Sequence, residues 1–205
     1  MVQCMRLLRS TEMSQPADFA EGRAPRAMRE SRTEEAESMT VESLKSLFEY
    51  NYWANRKLFE VMAQLTSEQL IQNIGGSYGS IRNTMVHILS AESGWLERCG
   101  GPKRGPQLNP NDFPTLDSII QAWTTLEMDE KRFLSQLNNQ HLVQNIEFSL
   151  THTETYSLRL GELLQHAAIH GVHHRGQIAL LLRLLNYIPG NFDVLVYYLE
   201  RNSVP

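Results

Sequence analysis

Apolar residues recur at intervals of three and four along four long stretches of this chain, a spacing that restricts it to amphipathic helices packed on one another. The first stretch carries Leu44, Leu47, Phe48, Tyr52, Leu58, Phe59 and Met62 and predicts a helix from about 41 to 64. Thr40 is placed to cap it, with Glu42 in the favourable first turn. Gly75, Gly76 and Gly79 break the pattern, after which Ser80 can cap a second helix running through Arg98, with Gly100 and Gly101 behind it. The turn-forming segment GPKRGPQLNPNDFP separates the two halves of the chain. Thr115 opens a third helix bearing Leu116, Ile119, Ile120, Trp123, Leu126, Phe133 and Leu137. A fourth is expected from about 159 to 187, ending before Pro189 and Gly190, and DVLVYYLERN predicts a short fifth. Between 145 and 158 the pattern alternates apolar and polar around a short polar turn, which predicts a small hairpin or extended excursion. The expected fold is all-α: a four-helix bundle with a short fifth helix and a small irregular or hairpin insertion before the fourth long helix.

At 205 residues, 41% hydrophobic and 20% charged, the chain has the make-up of one ordinary domain plus a tail. The tail is legible. Residues 13–38, MSQPADFAEGRAPRAMRESRTEEAES, hold Phe19 as the only aromatic in the leader and cannot bury enough apolar surface to offset the entropy of ordering. Residues 1–38 are therefore expected to be a disordered extension and 39–205 the folded domain, with Met39 as a second start site. A formal net charge of -4 gives no basic surface for sequence-independent phosphate binding, so nucleic acid is not an expected partner. The longest strongly apolar run, IALLLRLL, is short and broken by Arg183, so no membrane span is expected. MVQCMRLLRS lacks the apolar segment of a signal peptide. Cys4 and Cys99 form no CxxC pair and read as reduced thiols, so a cytoplasmic location is expected.

The chain has seven histidines, and four of them, His166, His170, His173 and His174, fall within HAAIHGVHHRGQ at 166–177. On a helical wheel the apolar stripe of the fourth helix passes through Leu160, Leu163, Ala167, Ile178, Leu181 and Leu185, and His170 and His174 lie inside it. Being at i and i+4, they project from one face and can meet one ion. Two imidazoles on a buried face are costly without partners, whereas a divalent ion satisfies their acceptor nitrogens. His166 and His173 fall at the edge of the stripe and read as neighbours of the ligands or as solvent-facing residues. The pair needs a third ligand. His141 and His152 sit in the turn-rich region after the third helix; His87, in SIRNTMVHILSAE, lies at the border of the second helix's apolar face. That border position suits a ligand and a half-exposed histidine equally well. Asn51 and Asn55, one turn apart on the first helix, suit either the orientation of a substrate or ligand histidine or the tying together of helices. Arg175 and Gln177 suit an anionic substrate or, better, internal hydrogen bonding. Tyr52, Trp53, Trp95 and Trp123 read as core.

The segments NYWANRKLF, SIRNTMVHILSAE and HAAIHGVHHRGQIA, in this order and spacing, resemble the signature segments of the DinB/YfiT-like superfamily, in its DinB branch. The resemblance covers residues 40–202. It implies a four-helix bundle with a divalent metal held by three histidines, one from the second long helix and two from the fourth: here His87, His170 and His174. Three neutral histidines leave the ion its charge and an open position, the pattern of a catalytic site. Imidazoles admit zinc or nickel first, and iron, manganese or copper as well. The resemblance further implies a metal-dependent thiol S-transferase, with a low-molecular-weight thiol such as mycothiol, bacillithiol or glutathione joined to a small-molecule electrophile. The alternatives are a metal-dependent hydrolase, for which Glu92 is the nearest carboxylate candidate, and a non-catalytic metal-binding or dimerising bundle. By the same analogy the chain is expected to form a homodimer.

Overall fold

The computed structural model of the chain describes residues 39–149 and 154–203. The leader at 1–38, Cys4 and His152 lie outside the described residues. What is described falls into two units, one running from Met39 to Glu147 and again from Ser157 onward, the other comprising Phe148–Tyr156 at the tip of the hairpin.

Four long helices account for the first unit: α1 (Val41–Met62), α3 (Ile81–Arg98), α4 (Leu116–Ser135) and α6 (Leu160–Leu184). Each of the first three starts where the sequence supplies a hydroxyl. The side chains of Thr40, Ser80 and Thr115 accept from the backbone N–H three residues on, satisfying a donor that the first helical turn cannot. At Thr40 and Thr115 the reciprocal bond comes from a serine, Ser43 and Ser118. α6 ends at Leu184, three residues short of the expected 187, because Asn186 takes a left-handed φ of 66°. Two helices of about one turn were not expected, α2 (Ser67–Ile71) and α5 (Asn139–Leu142), each opened by its own capping box from Thr66 and Asn138. The short helix at the C-terminal end is α7 (Val194–Asn202), capped by Asp193. The alternating segment is a hairpin, β1 (Asn145–Ser149) paired with β2 (Thr155–Arg159), and at its tip the rings of Phe148 and Tyr156 stack at 5.8 Å.

In the bundle α1 packs on α4 and α6, and α3 packs on the same two, so the long helices form a ring in the order α1, α6, α3, α4. Leu58 and Met62 of α1, Met85, Ile88 and Leu89 of α3, Ile119, Trp123 and Leu126 of α4, and Ile178 and Leu182 of α6 make one continuous apolar core. α7 lies against α1, where Tyr197 meets Tyr50 edge-on at 5.9 Å and Trp53 Nε1 donates to Glu200. Among the described residues no helix is long and apolar enough to cross a membrane.

The centre of the ring is not apolar. Each long helix contributes one fully buried polar side chain: Asn51 from α1, Glu92 from α3, Glu130 from α4 and Arg175 from α6. Asn51 Nδ2 donates across the bundle to Glu92 Oε1 at 2.9 Å, and Arg175 Nη1 donates to Asn55 Oδ1 at 2.9 Å. A buried guanidinium requires a counter-charge, and Glu92 supplies it. Burial raises the Glu92 carboxyl to about 7, with Arg175 and Asn51 opposing that shift. Glu130, facing Glu92 and the Tyr52 hydroxyl, is held well above the ordinary carboxylate range, first by burial and then by the charge of Glu92. Glu130 therefore keeps its proton to higher pH than an ordinary carboxyl.

Candidate metal centre

α3 and α6 lie side by side, and their contact brings His87, His170 and His174 together. The three Nε2 atoms form a nearly equilateral triangle: 3.3 Å from His87 to His170, 3.2 Å from His87 to His174 and 3.1 Å from His174 to His170. Such edges suit three ligands bound to one ion by bonds of about 2.0–2.1 Å. His174 is buried and the other two are half-buried.

The protonation of the cluster shows why it suits a cation. Burial, reinforced by the neighbouring imidazoles, pulls His87 down to about 4 and His170 to about 3. Burial also lowers His174, against the opposing hydrogen bond from Gln177. At neutral pH all three rings are uncharged. Gln177 Oε1 accepts from His174 Nδ1 at 2.8 Å, which leaves the lone pair of that ring on Nε2, facing the other two nitrogens. Lone pairs 3.1–3.3 Å apart repel one another unless a cation or proton stands between them. His170 Nδ1 is buried without a hydrogen-bond partner, so that ring gains nothing in the apo protein to offset its burial. The residues present fit a divalent ion bound by three imidazoles.

Around the triangle, Tyr78 stacks on the His87 ring with centroids 4.0 Å apart and planes 19° from parallel, and its hydroxyl lies 2.9 Å from His87 Nε2. His166 and His173 are exposed. His166 meets the edge of Trp95 at 5.0 Å, and His173 Nε2 lies 3.1 Å from Gln177 Nε2. His141 is remote from the cluster, its Nδ1 accepting from the Asn138 backbone at the start of α5. Asn51, Asn55 and Arg175 belong to the polar layer, where Asn51 donates to Glu92 and Arg175 donates to Asn55. Gln177 does touch a ligand ring. Glu92 is turned toward Asn51 and Arg175, and among the described residues no carboxylate joins the three histidines.

Two residues at or near this machinery escaped the sequence reading. Glu130 was legible, because Trp123, Leu126, Glu130 and Leu134 fall at intervals of three and four on one buried face of α4. Tyr78 carried no such signal: it stands in a glycine-rich loop, where periodicity says nothing about direction.

Comparisons with known proteins give the family of the chain. A family model described as DinB family matches residues 39–201. Protein DinB of Bacillus subtilis (strain 168) is 28% identical over 161 residues, covering 74% of this chain and 91% of that protein. The protein YizA of the same organism is 26% identical over 146 residues, covering 71% and 90%. The crystal structure of a DinB-like protein from Bacillus cereus ATCC 10987 superposes with a TM-score of 0.61 at 21% identity, covering 74% of this chain and 97% of that one. The chain belongs to the DinB family.

Proposed function

We propose that the protein is a metal-dependent thiol S-transferase, in which His87, His170 and His174 hold a divalent ion that activates a low-molecular-weight thiol toward a small electrophile. The observation that carries this reading is the convergence of three uncharged Nε2 atoms on one point. A divalent ion held there supplies Lewis-acid chemistry, lowering the pKa of a thiol or water at its open position. The chain's own residues then have separable tasks. Gln177 fixes the tautomer and orientation of His174, and the stacked Tyr78 fixes the plane of His87. The thiolate sulfur attacks the electrophilic carbon; the S–C bond forms as the carbon's leaving group departs with its electron pair. Hydrolysis is the weaker reading, because Glu92, the one carboxylate suggested as a base for water, is engaged by Asn51 and Arg175.

The test is metal analysis of the purified protein beside His87→Ala, His170→Ala and His174→Ala, with His166→Ala and His173→Ala as controls. The metal-loaded forms are then assayed for loss of an electrophile with and without glutathione, bacillithiol or mycothiol. One metal per chain, lost in the first three variants only, together with thiol-dependent turnover, is the expected result. Turnover without thiol would favour hydrolysis, and a loaded protein inert under both conditions would leave a metal-binding bundle.

The same reading includes a homodimer. Ile169, Val172, Leu180 and Leu184 are exposed by 40–59% and follow one another at helical spacing along the outer face of α6, and Leu195, Tyr198 and Leu199 are likewise exposed on α7. Val172 of α6 and Val194 at the start of α7 line one groove, so the two faces adjoin. An apolar stripe of this kind fits a two-fold contact with a second copy.

A further inference from the structure

We propose that the phenol oxygen of Tyr78 is the fourth protein donor to the ion, completing a three-nitrogen, one-oxygen set. The inference rests on the three-histidine reading above and goes beyond it in naming a further ligand. Tyr78 Oη lies 2.9 Å from His87 Nε2, close to the 3.1–3.3 Å that separates the histidine nitrogens from one another. That separation is a hydrogen bond in the metal-free chain, and it is also the spacing of two donors that share one ion. The Tyr78 ring stacks on that of His87 at 4.0 Å and meets that of His174 edge-on at 5.6 Å, so the phenol lies against two of the three histidines.

The loop around Tyr78 is built to hold that position. Ile74 N–H donates to the Gly79 carbonyl at 2.8 Å, and Gly79 has a φ of +80°, a left-handed conformation that glycine adopts without strain. Asn83 Nδ2 donates to the Tyr78 carbonyl at 3.1 Å, anchoring the residue to the first turn of α3. On the other side Gln177 Nε2 donates to Ser77 Oγ at 3.3 Å, while Gln177 Oε1 accepts a hydrogen bond from His174 Nδ1. One side chain thus sets both the loop beside Tyr78 and a ligand histidine. When the oxygen binds the ion, the O–H bond breaks, the oxygen keeps the electron pair and the proton passes to solvent. Zinc accepts four donors and can expand to five, so an entering thiolate adds to this set or takes the place of the oxygen.

The experiment uses Cu(II) as a spectroscopic probe in the full-length protein and in Tyr78→Phe, which removes the oxygen and keeps the stacking ring. The wild type is expected to show a phenolate-to-copper charge-transfer band in the visible, with phenolate ring modes in the resonance Raman spectrum excited there. Tyr78→Phe should bind one copper, lack both signals, and hold zinc about ten-fold or more weakly. Stoichiometric copper in the wild type without the band, or a band retained in Tyr78→Phe, would overturn the assignment while leaving the three histidines in place. A wild type that holds no metal would overturn both readings. The Raman signature of the wild type decides the matter by itself if Tyr78→Phe does not fold.

Discussion

Gly171 stands between His170 and His174, and its missing side chain is what lets α6 lie close against the polar layer. A Cβ there would stand 2.7 Å from Glu92 Oε1, 3.0 Å from Arg175 Nη1 and 3.1 Å from Asn51 Oδ1. All three side chains are buried, and Glu92 Oε1 and Arg175 Nη1 are held by hydrogen bonds from Asn51 Nδ2 and to Asn55 Oδ1, so they cannot give way cheaply. Gly171→Ala is expected to cost about 1–3 kcal/mol, seen as a fall of several degrees in melting temperature. Gly176, on the exposed face of the same helix, has nothing within 4 Å of a Cβ, and Gly176→Ala should hold or raise the melting temperature through helix propensity alone. Equal effects of the two substitutions would contradict the close approach at 171. The sequence placed both residues on one helix; only the neighbour across from each makes them opposite in consequence.

At the scale of the element, the long helices were legible because each repeats its apolar face over four turns or more and the first three begin at a side chain that caps them. Thr40, Ser80 and Thr115 do what their positions predict. α2 and α5 were not legible, since five and four residues are too few for a period of 3.6 to establish a phase. The face of α4 carries a further consequence. Burial and then the charge of Glu92 raise the folded pKa of Glu130 above the ordinary 4.5. Between those two values the folded chain binds more protons than the unfolded one, and stability therefore falls as pH rises through that window. Glu130→Gln replaces a neutral acid with a neutral amide. Its melting temperature at low pH should stay near that of the wild type, and its decline toward alkaline pH should be shallower. Parallel melting curves for the two proteins across the pH range would show Glu130 to be ionised in the fold.

At the scale of the whole molecule, the outer stripe of α6 and α7 is an apolar surface that the described residues leave uncovered. Leu180→Asp or Leu184→Asp places a charge in the middle of that stripe; under the proposed dimer, light scattering should report a dimeric wild type and monomeric variants, with metal content unchanged. A wild type that is monomeric at all concentrations would remove the dimer from the proposal. Sequence by itself determined the four long helices, most of their ends and the shared face of His170 and His174, because period, capping and i,i+4 spacing are properties of a single element. It left the insertion open between a hairpin and an irregular excursion and the border position of His87 open between ligand and half-exposed residue, and it gave Tyr78 no direction at all. The packing of α3 against α6 brings His87 Nε2 within 3.3 Å of the other two nitrogens, and the loop that Asn83 and Gln177 hold lays Tyr78 on its ring. The same packing put Asn51, Glu92, Glu130 and Arg175 into one buried layer. A wheel gives the face on which a side chain lies; which other side chain it meets depends on the rotation and depth at which two helices pack, and those are fixed by all the core residues together.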